Sequence, residues 1–492
     1  MGIKLKPIKC RSLSIQKGKP SVVHYKIGEH KIPSIKEEEQ KFLRKILFFN
    51  GKQSETYNYV KQEIEKKILN INKTEIRNEF KMWIYHHYLL PSIRFILTIH
   101  ALTKTDLTKL DNMCHKHLKV WAGLPRCATN SIFHHQKSLN ITSISDLYRE
   151  AHCLNYANIK LKGDDLVNHA LDNKVEREEK FQRKKSVYVE ARKTFQERVE
   201  ENTENEPEEG KTSHKYRKKI KNLVKTKINN EKLETHINHV HNLVQQGNLL
   251  RVAGEEEQDL TWKYFAYGLK KGTLKFVLNA TLDTLPTKAN LLKWKKCTSD
   301  KCKLCGAKET LLHVLSGCPV SLRQSRYTWR HDGIVNYIAS TIDTSKYTIY
   351  ADIDRFRTNS GGTIPPKALI TTDRPDLVII DEETKSIHIF ELTVPHISNI
   401  QKRHEEKTNK YKYLESECED YKIKTEAFEV EIRGHITKEN KKSLKQLFSF
   451  CSKNISIKLF YENIAKMAIN GSYYIYLCRN QTVWADLPLL KA

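Results

Sequence analysis

The sequence predicts a multidomain α+β protein, on three observations. At 492 residues, 39% of them hydrophobic, the chain is too long for one core and apolar enough to build several. Apolar residues recur at helical spacing from about Glu55 to Lys162, yet between Leu377 and Val394 they form runs of strand length. A dense mixed-charge stretch and a tight cluster of cysteine and histidine separate the two regions. The expected organisation is a poorly patterned N-terminal segment (1–60), a helical bundle (61–170), a charged helical linker (171–260), a small Cys/His module (261–345) and an α/β domain (346–492).

Residues 1–60 hold Leu5-Lys-Pro-Ile-Lys-Cys-Arg-Ser-Leu-Ser-Ile, expected as a strand, and Ile27-Gly-Glu-His-Lys-Ile-Pro-Ser-Ile, expected as a turn or hairpin. Tyr59, Ile64, Ile68 and Ile71, then Leu107, Leu110, Leu118 and Trp121, repeat as one face of a helix does. Pro91 and Gly123-Leu-Pro125 are expected to divide this region into a bundle, whose histidines and aromatics pack in the core. From Asp172 to Leu233 charge dominates. Glu200 to Gly210 is an acidic break, expected to be disordered, and the run after it carries Lys215, Arg217, Lys218, Lys219, Lys221, Lys225 and Lys227. That run reads equally as a solvated helix and as one that contacts phosphates. His236, His239 and His241 lie close together but lack a ligand spacing.

Lysine and arginine outnumber aspartate and glutamate 85 to 58, a net charge of +27. An excess that large answers a polyanion, and nucleic acid is the expected partner. No membrane association is expected, because the most apolar window, Met82 to Leu102, is interrupted by His86, His87, Pro91 and Arg94. The first residues, Met1-Gly-Ile-Lys-Leu-Lys, lack a secretory apolar region, and no small-molecule partner is expected. Eleven cysteines are too sparse for a disulfide framework, which predicts a reducing compartment and makes clustered cysteines a sign of metal.

One such cluster follows the aromatic stretch Trp262, Tyr264, Phe265 and Tyr267. Cys302-Lys-Leu-Cys305 precedes His313 by seven intervening residues, and Cys318 follows after four more. A Cys-x-x-Cys turn supplies two zinc ligands, and His313 with Cys318 supplies the other two of a tetrahedron. Cys297 stands close enough in sequence to replace one of them. So small a module buries little core, and the metal is expected to contribute folding energy directly.

In the C-terminal domain, Leu377-Val-Ile-Ile380 is a strand buried on both faces, and Asp381 to Lys385 is a turn. The next strand, Ser386 to Val394, puts Ile387, Ile389, Glu391 and Thr393 on one face and His388, Phe390, Leu392 and Val394 on the other. Glu391 therefore points where isoleucines point, which is costly unless the carboxylate is paired or binds a cation. Asp376 opens the first strand within reach of it. In the helix expected from about Ser398, the stripe Ile400, His404, Lys407, Tyr411 and Leu414 carries Lys407 inward, with Lys410 beside it. Two carboxylates holding magnesium or manganese, and a lysine that stabilises developing charge, make a phosphodiester-cleaving centre.

Arg374-Pro-Asp, fourteen residues, Glu391-Leu-Thr-Val, then Lys407-x-x-Lys410-Tyr411 resembles the restriction-like endonuclease of site-specific non-LTR retrotransposons, a branch of the PD-(D/E)xK nucleases. Thr393 stands where the wider superfamily has its lysine, and Lys407 and Lys410 lie on the following helix, as in that branch. The Cys302, Cys305, His313, Cys318 knuckle and Arg326-Tyr-Thr-Trp-Arg-His-Asp332 are also similar to the family. Leu5 to Leu13 and Ile27 to Leu43 resemble the end of a reverse transcriptase palm, and Trp83 to Pro125 its thumb; Arg44 replaces the usual glycine, and the catalytic Asp-Asp turn would have to precede Leu5. The resemblance implies the C-terminal part of a retrotransposon polyprotein: palm remnant (1–60), thumb-like bundle (61–170), linker, zinc knuckle and PD-(D/E)xK domain. It implies nuclear nicking of target DNA for target-primed reverse transcription, with target DNA and element RNA as partners and Mg2+ (or Mn2+) and Zn2+ as cofactors. Asp376 and Glu391 would bind magnesium, with Lys407 and Lys410 assisting. The alternative is a catalytically dead, nucleic-acid-binding remnant.

Overall fold

A computed structural model of the chain describes residues 6–180 apart from 39, 43–44, 48 and 50–52, then 186–203, 214–353, 373–416 and 420–485. It is a mixed, mostly helical α+β structure that divides into two compact units, residues 1–121 with 141–235, and 122–140 with 236–492. Among the described residues no helix is long and apolar enough to cross a membrane.

The first unit opens with three two-stranded antiparallel pairs: β1 (Ser14–Gln16) with β2 (Lys19–Ser21), β3 (Tyr25–Ile27) with β4 (His30–Ile32), and β5 (Gln40–Phe42) with β6 (Lys45–Leu47). The hairpin expected at Ile27 is β3–β4. The segment expected as one strand up to Ile15 is not one: Pro7 starts a 3-10 turn over Pro7–Lys9, Ser12 makes a single bridge to Ser34, and a strand begins only at Ser14. Proline fixes φ near the helical value and lacks the N–H a ladder needs. Leu5, Leu43 and Arg44 lie outside the described residues.

Helices α1 (Gln53–Lys73), α2 (Asn78–Ile84), α3 (Leu90–Ile99) and α4 (Lys104–Ala122) follow. Pro91 does not divide them as expected. It falls in the first turn of α3, and a five-residue π-helical turn, Tyr85–Leu89, joins α2 to α3. The wider turn accommodates a residue that cannot donate a hydrogen bond. The break at Gly123 does end α4. The short α5 (Ser131–His134) belongs to the second unit. Helices α6 (Ile144–Lys162), α7 (Asp165–Lys180), α8 (Val187–Thr203) and α9 (His214–His241) complete the first, save that α9 passes into the second unit at His236.

The stretch expected as a charged linker is thus helical and packed. Cys153, Tyr156 and Ala157 of α6 share a core with Val175, Ala191, Tyr216, Ile220, Val224 and Ile228 from α7, α8 and α9. One turn-spaced apolar stripe per helix suffices, even in helices this rich in charge. Residues 204–213, most of the acidic break, lie outside the described residues.

Burial lowers His86, His115 and His152 of this unit to about 4 each. Such histidines are neutral when folded but protonate near 6.5 when unfolded, so the stability they contribute is present above pH 6.5 and lost as pH falls toward 4. Asp111, pushed up to about 6 by burial, works in the opposite sense below that pH but is one group against three. The urea midpoint of the first unit is therefore expected to be lower at pH 5 than at pH 7. An unchanged midpoint would exclude this account of the three histidines.

The second unit runs through α10 (Asn248–Glu255), α11 (Thr273–Thr281), α12 (Lys288–Lys293), α13 (Pro319–Arg323) and α14 (Arg326–Thr341) into a four-stranded sheet. Its strands are β7 (Thr348–Ala351), β8 (Leu377–Asp381), β9 (Ser386–Thr393) and β10 (Lys422–Glu429), in the order β10-β9-β8-β7. Neighbours are antiparallel except β9 and β10, which are parallel. A parallel pair needs a crossover, and α15 (Ile400–Lys410) lies in it. The last helices are α16 (Asn440–Phe448) and α17 (Ile457–Leu477).

Both faces of the sheet are covered, which explains the uninterrupted apolar run in β8. Leu377, Ile379, Phe390 and Leu392 pack into a core with residues of α14, α16 and α17. Val378, Ile380, Ile387 and Ile389 pack on the other side with Tyr411 and Leu414. The alternation in β9 is the one its period-2 pattern predicts. On the expected stripe of α15, by contrast, the fully buried residues are Tyr411 and Leu414, just past the helix end, and α15 itself buries none completely.

Candidate nuclease and metal centres

Register brings the two acidic residues together. Leu377 pairs with Phe390, so one step beyond the strand end Asp376 faces Glu391. Backbone N–H groups hold both carboxylates: Asp376 N donates to Glu391 Oε1 at 3.0 Å, and Leu392 N donates to Asp376 Oδ2 at 2.8 Å. The first of these bonds spares Glu391, 2% exposed on an apolar face, part of its desolvation cost.

Lys407 comes in from α15 and closes the centre. Its Nζ donates to Glu391 Oε2 and lies 3.8 Å from Asp376 Oδ2. The lysine expected inward is therefore inward, at both carboxylates. Lys410 is not: it is exposed, and its ammonium donates to the Tyr411 hydroxyl at 2.5 Å. Three steps of about 100° leave the two lysines only about 60° apart round the helix; what separates them is that Lys410 is the last residue of α15, one turn further along, where its ammonium turns to Tyr411.

His331 and Asp332 of α14 complete the constellation. They stand in a motif legible in the sequence, but no spacing rule assigns them a role there. His331 Nδ1 is 3.0 Å from Asp332 Oδ1, and its Nε2 is 3.2 Å from both Asp376 Oδ2 and the Leu392 carbonyl. Against the opposing effect of burial, hydrogen bonds and charge from Asp332 and Asp376 raise His331 to about 10, so it is a cation. Burial would raise Asp376, but His331 and Lys407 hold it below the ordinary carboxylate range. Burial and the neighbouring Asp376 charge raise Glu391 in spite of Lys407. Two carboxylates in one site are thereby driven apart, which is the pattern of a chemically specialised pair.

The centre opens into a cavity of about 570 Å³ whose lining includes Arg330, His331, Asp376, Thr393, His396 and Lys407. Arg374, the first residue of the Arg-Pro-Asp motif, also lines it and pairs with Asp352. Thr393, two residues past Glu391, keeps a buried hydroxyl that no protein group bonds.

The second cluster lies in the same unit. The ligand atoms of Cys302, Cys305, His313 and Cys318 all fall within 4.8 Å of one another, so the group could hold a zinc ion. A tetrahedron with bonds of about 2.3 Å sets its corners about 3.8 Å apart, and the donor set is the one zinc prefers. The reverse turn between the cysteines is closed by Gly306 N to Cys302 O at 2.9 Å and needs Gly306 at φ +75. Cys297 is not part of the cluster; its thiol donates to the Ser299 carbonyl at 3.1 Å. Burial pushes the Cys302 thiol up to about 11, so filling the site displaces a proton. Among the described residues no other convergent group of three or more cysteine, histidine or acidic ligands occurs, and Asp376 with Glu391 would rely on water and phosphate for the rest of a magnesium shell. His239 and His241 lie outside any such group, and the His236 ring stacks on His134.

Compared with protein-family models and with curated proteins, the chain matches none.

Proposed function

We propose that this chain is the metal-dependent DNA endonuclease region of a retrotransposon polyprotein, which nicks target DNA for target-primed reverse transcription. The observation that carries the reading is the convergence of Asp376, Glu391 and Lys407 beside a cavity lined by Asp376 and Lys407 together with Arg330, His331, Asp332 and Glu406. The chain order α14-β7-β8-β9-α15-β10, with the acidic pair at the ends of two central strands and the lysine on the crossover helix, supports it. So does the net charge of +27.

In this reading Asp376 and Glu391 hold Mg2+ or Mn2+, which when bound supplies a Lewis acid and an activated water. Lys407, already within reach of both carboxylates, balances the charge that develops on the phosphate oxygens. His331 and Asp332 fix the orientation of Asp376. The zinc knuckle, target DNA and element RNA as partners, and a nuclear, reducing setting belong to the same proposal.

The test is nicking of supercoiled plasmid by the full chain with magnesium or manganese. A nicked product that requires the divalent ion and disappears in Asp376→Ala supports the reading. DNA or RNA binding that weakens steeply with salt, with no nicking under either metal, would identify the chain as the catalytically dead alternative. That alternative draws on one observation: the acidic pair already has cationic partners within the chain, Lys407 at both carboxylates and His331 at Asp376.

A further inference from the structure

Three arginines of the second unit are at most 2% exposed, and they solve the problem of a buried charge differently. Arg433 pairs with the Glu431 carboxylate at 2.8 Å. Arg326 has no carboxylate, but its three nitrogens all donate: to Gln324 Oε1, to the Cys478 carbonyl at 2.8 Å and to the Gln481 carbonyl at 2.6 Å. Its guanidinium also lies 5.0 Å over the Trp484 ring.

Arg330 has no carboxylate beside it and only part of Arg326's solution, its guanidinium lying 5.7 Å over the Tyr327 ring. Its Nη1 donates to Ser472 Oγ at 2.9 Å and its Nη2 to the Val394 carbonyl at 3.1 Å. Its Nε is buried with no hydrogen-bond partner, and among the described residues no carboxylate forms an ion pair with it; Glu431 acts on it only through its charge, at longer range. An unpaired buried cation is costly, and one that lines a cavity is explained by an anion that enters the cavity. A second, independent observation points the same way. The Thr393 hydroxyl, on the residue before Val394 and lining the same cavity, is also buried without a partner.

The position indicates which anion. Asp376 bonds the Leu392 N–H and Arg330 bonds the Val394 carbonyl, two residues further along one extended segment. At 3.3 Å per residue that is roughly 6–7 Å, on the order of the step between consecutive phosphates of a nucleic-acid strand. We propose that Arg330, helped by the Thr393 hydroxyl, is an anion subsite for the backbone phosphate next to the one held at Asp376, Glu391 and Lys407. The assignment rests on the nuclease reading for the occupant of the neighbouring position, but the binding it predicts needs no cleavage.

The experiment measures binding of the full chain to a fluorescent DNA duplex across a salt series, without divalent metal. Arg330→Gln is expected to weaken binding about tenfold and to reduce the slope of log affinity against log salt by about one, as loss of one phosphate contact does. Arg330→Lys, which keeps the charge, is expected to keep the slope, and Thr393→Val to weaken binding a few-fold with the slope unchanged. An Arg330→Gln protein with wild-type slope and affinity would overturn the proposal. So would equal slope losses in the Gln and Lys variants, which would mean that the helix had shifted and not that a charge contact was lost. If Arg330→Gln does not fold, an Arg330→Lys protein of unchanged slope together with a weakened Thr393→Val supports the subsite, and a Thr393→Val protein of full affinity overturns it. Absence of nicking by the wild-type chain would sink the nuclease reading and leave the Arg330 slope still to be read.

Discussion

Asp376→Asn is expected to abolish divalent-dependent nicking, by at least about a thousandfold, while leaving DNA affinity within a few-fold of the starting chain. The carboxylate is used three times over: it accepts from Leu392 N, pairs with His331 and faces Lys407. Asparagine keeps the shape and an acceptor for Leu392 N–H but removes the charge, so a fall in rate without loss of fold isolates the chemical role. Lys407→Met is expected to cost about a hundredfold or more, because methionine preserves the packed stem and deletes the ammonium. The pH dependence separates the two carboxylates. Asp376 is held low and is ionised throughout, whereas Glu391 is raised by burial and by Asp376. A carboxylate with a raised folded value contributes stability below its unfolded value and loses that contribution as pH rises through the folded one. Metal binding needs the ionised form, so activity is expected to rise with pH as Glu391 loses its proton, and Glu391→Gln should remove both the activity and the stability gain at low pH. Plasmid nicking and thermal melting over a pH series would measure both. Nicking by Asp376→Asn at the wild-type rate would end the assignment of this centre.

How much of this was legible beforehand depends on whether the signal was local. The β9 alternation placed Glu391 on an apolar face, and the stripe on α15 aimed Lys407 at it, because period-2 and period-3.6 patterns fix side-chain direction without knowledge of neighbours. Lys410 shows where that reasoning stops: an adjacent position in a helical motif need not share its neighbour's environment, and here it faces Tyr411. His331 was invisible as a site residue for a different reason. It acts across 45 residues of sequence, and nothing in the spacing on α14 says that this face meets the end of β9. The packing of α6 to α9 was hidden because composition averages over a helix, whereas a core samples one face of it. Arg330 belongs to the same class, since only a structure reveals that a buried charged residue forms no ion pair with a carboxylate.

Replacing Cys305 by serine, or stripping the chain with a chelator, is expected to release one zinc per chain and to lower the melting temperature of the second unit by on the order of 10 °C or more. The cluster spans a reverse turn and a π-helical turn, His313–Gly317; Leu311, Val314 and Leu315 are buried, more core than so small a module was expected to have, and an ion would tie the cysteine turn to them. The consequence should extend to the Asp376 centre although no zinc ligand lines its cavity. Tyr327 ties the two together: its hydroxyl accepts from Cys318 N at 3.0 Å and lies 3.1 Å from the carbonyls of His313 and Val314. One turn further along α14 stand Arg330 and His331, and the latter holds Asp376. Loss of zinc frees the knuckle end of this helix, so nicking is expected to fall at least about tenfold at temperatures where the fold persists. Tyr327→Phe separates the two effects. It keeps the ring and the zinc but removes the hydroxyl, and should leave metal content unchanged while lowering both the melting temperature and the nicking rate by a smaller amount than Cys305→Ser. Full nicking by a zinc-free, folded chain would show instead that the knuckle and the Asp376 centre are independent modules.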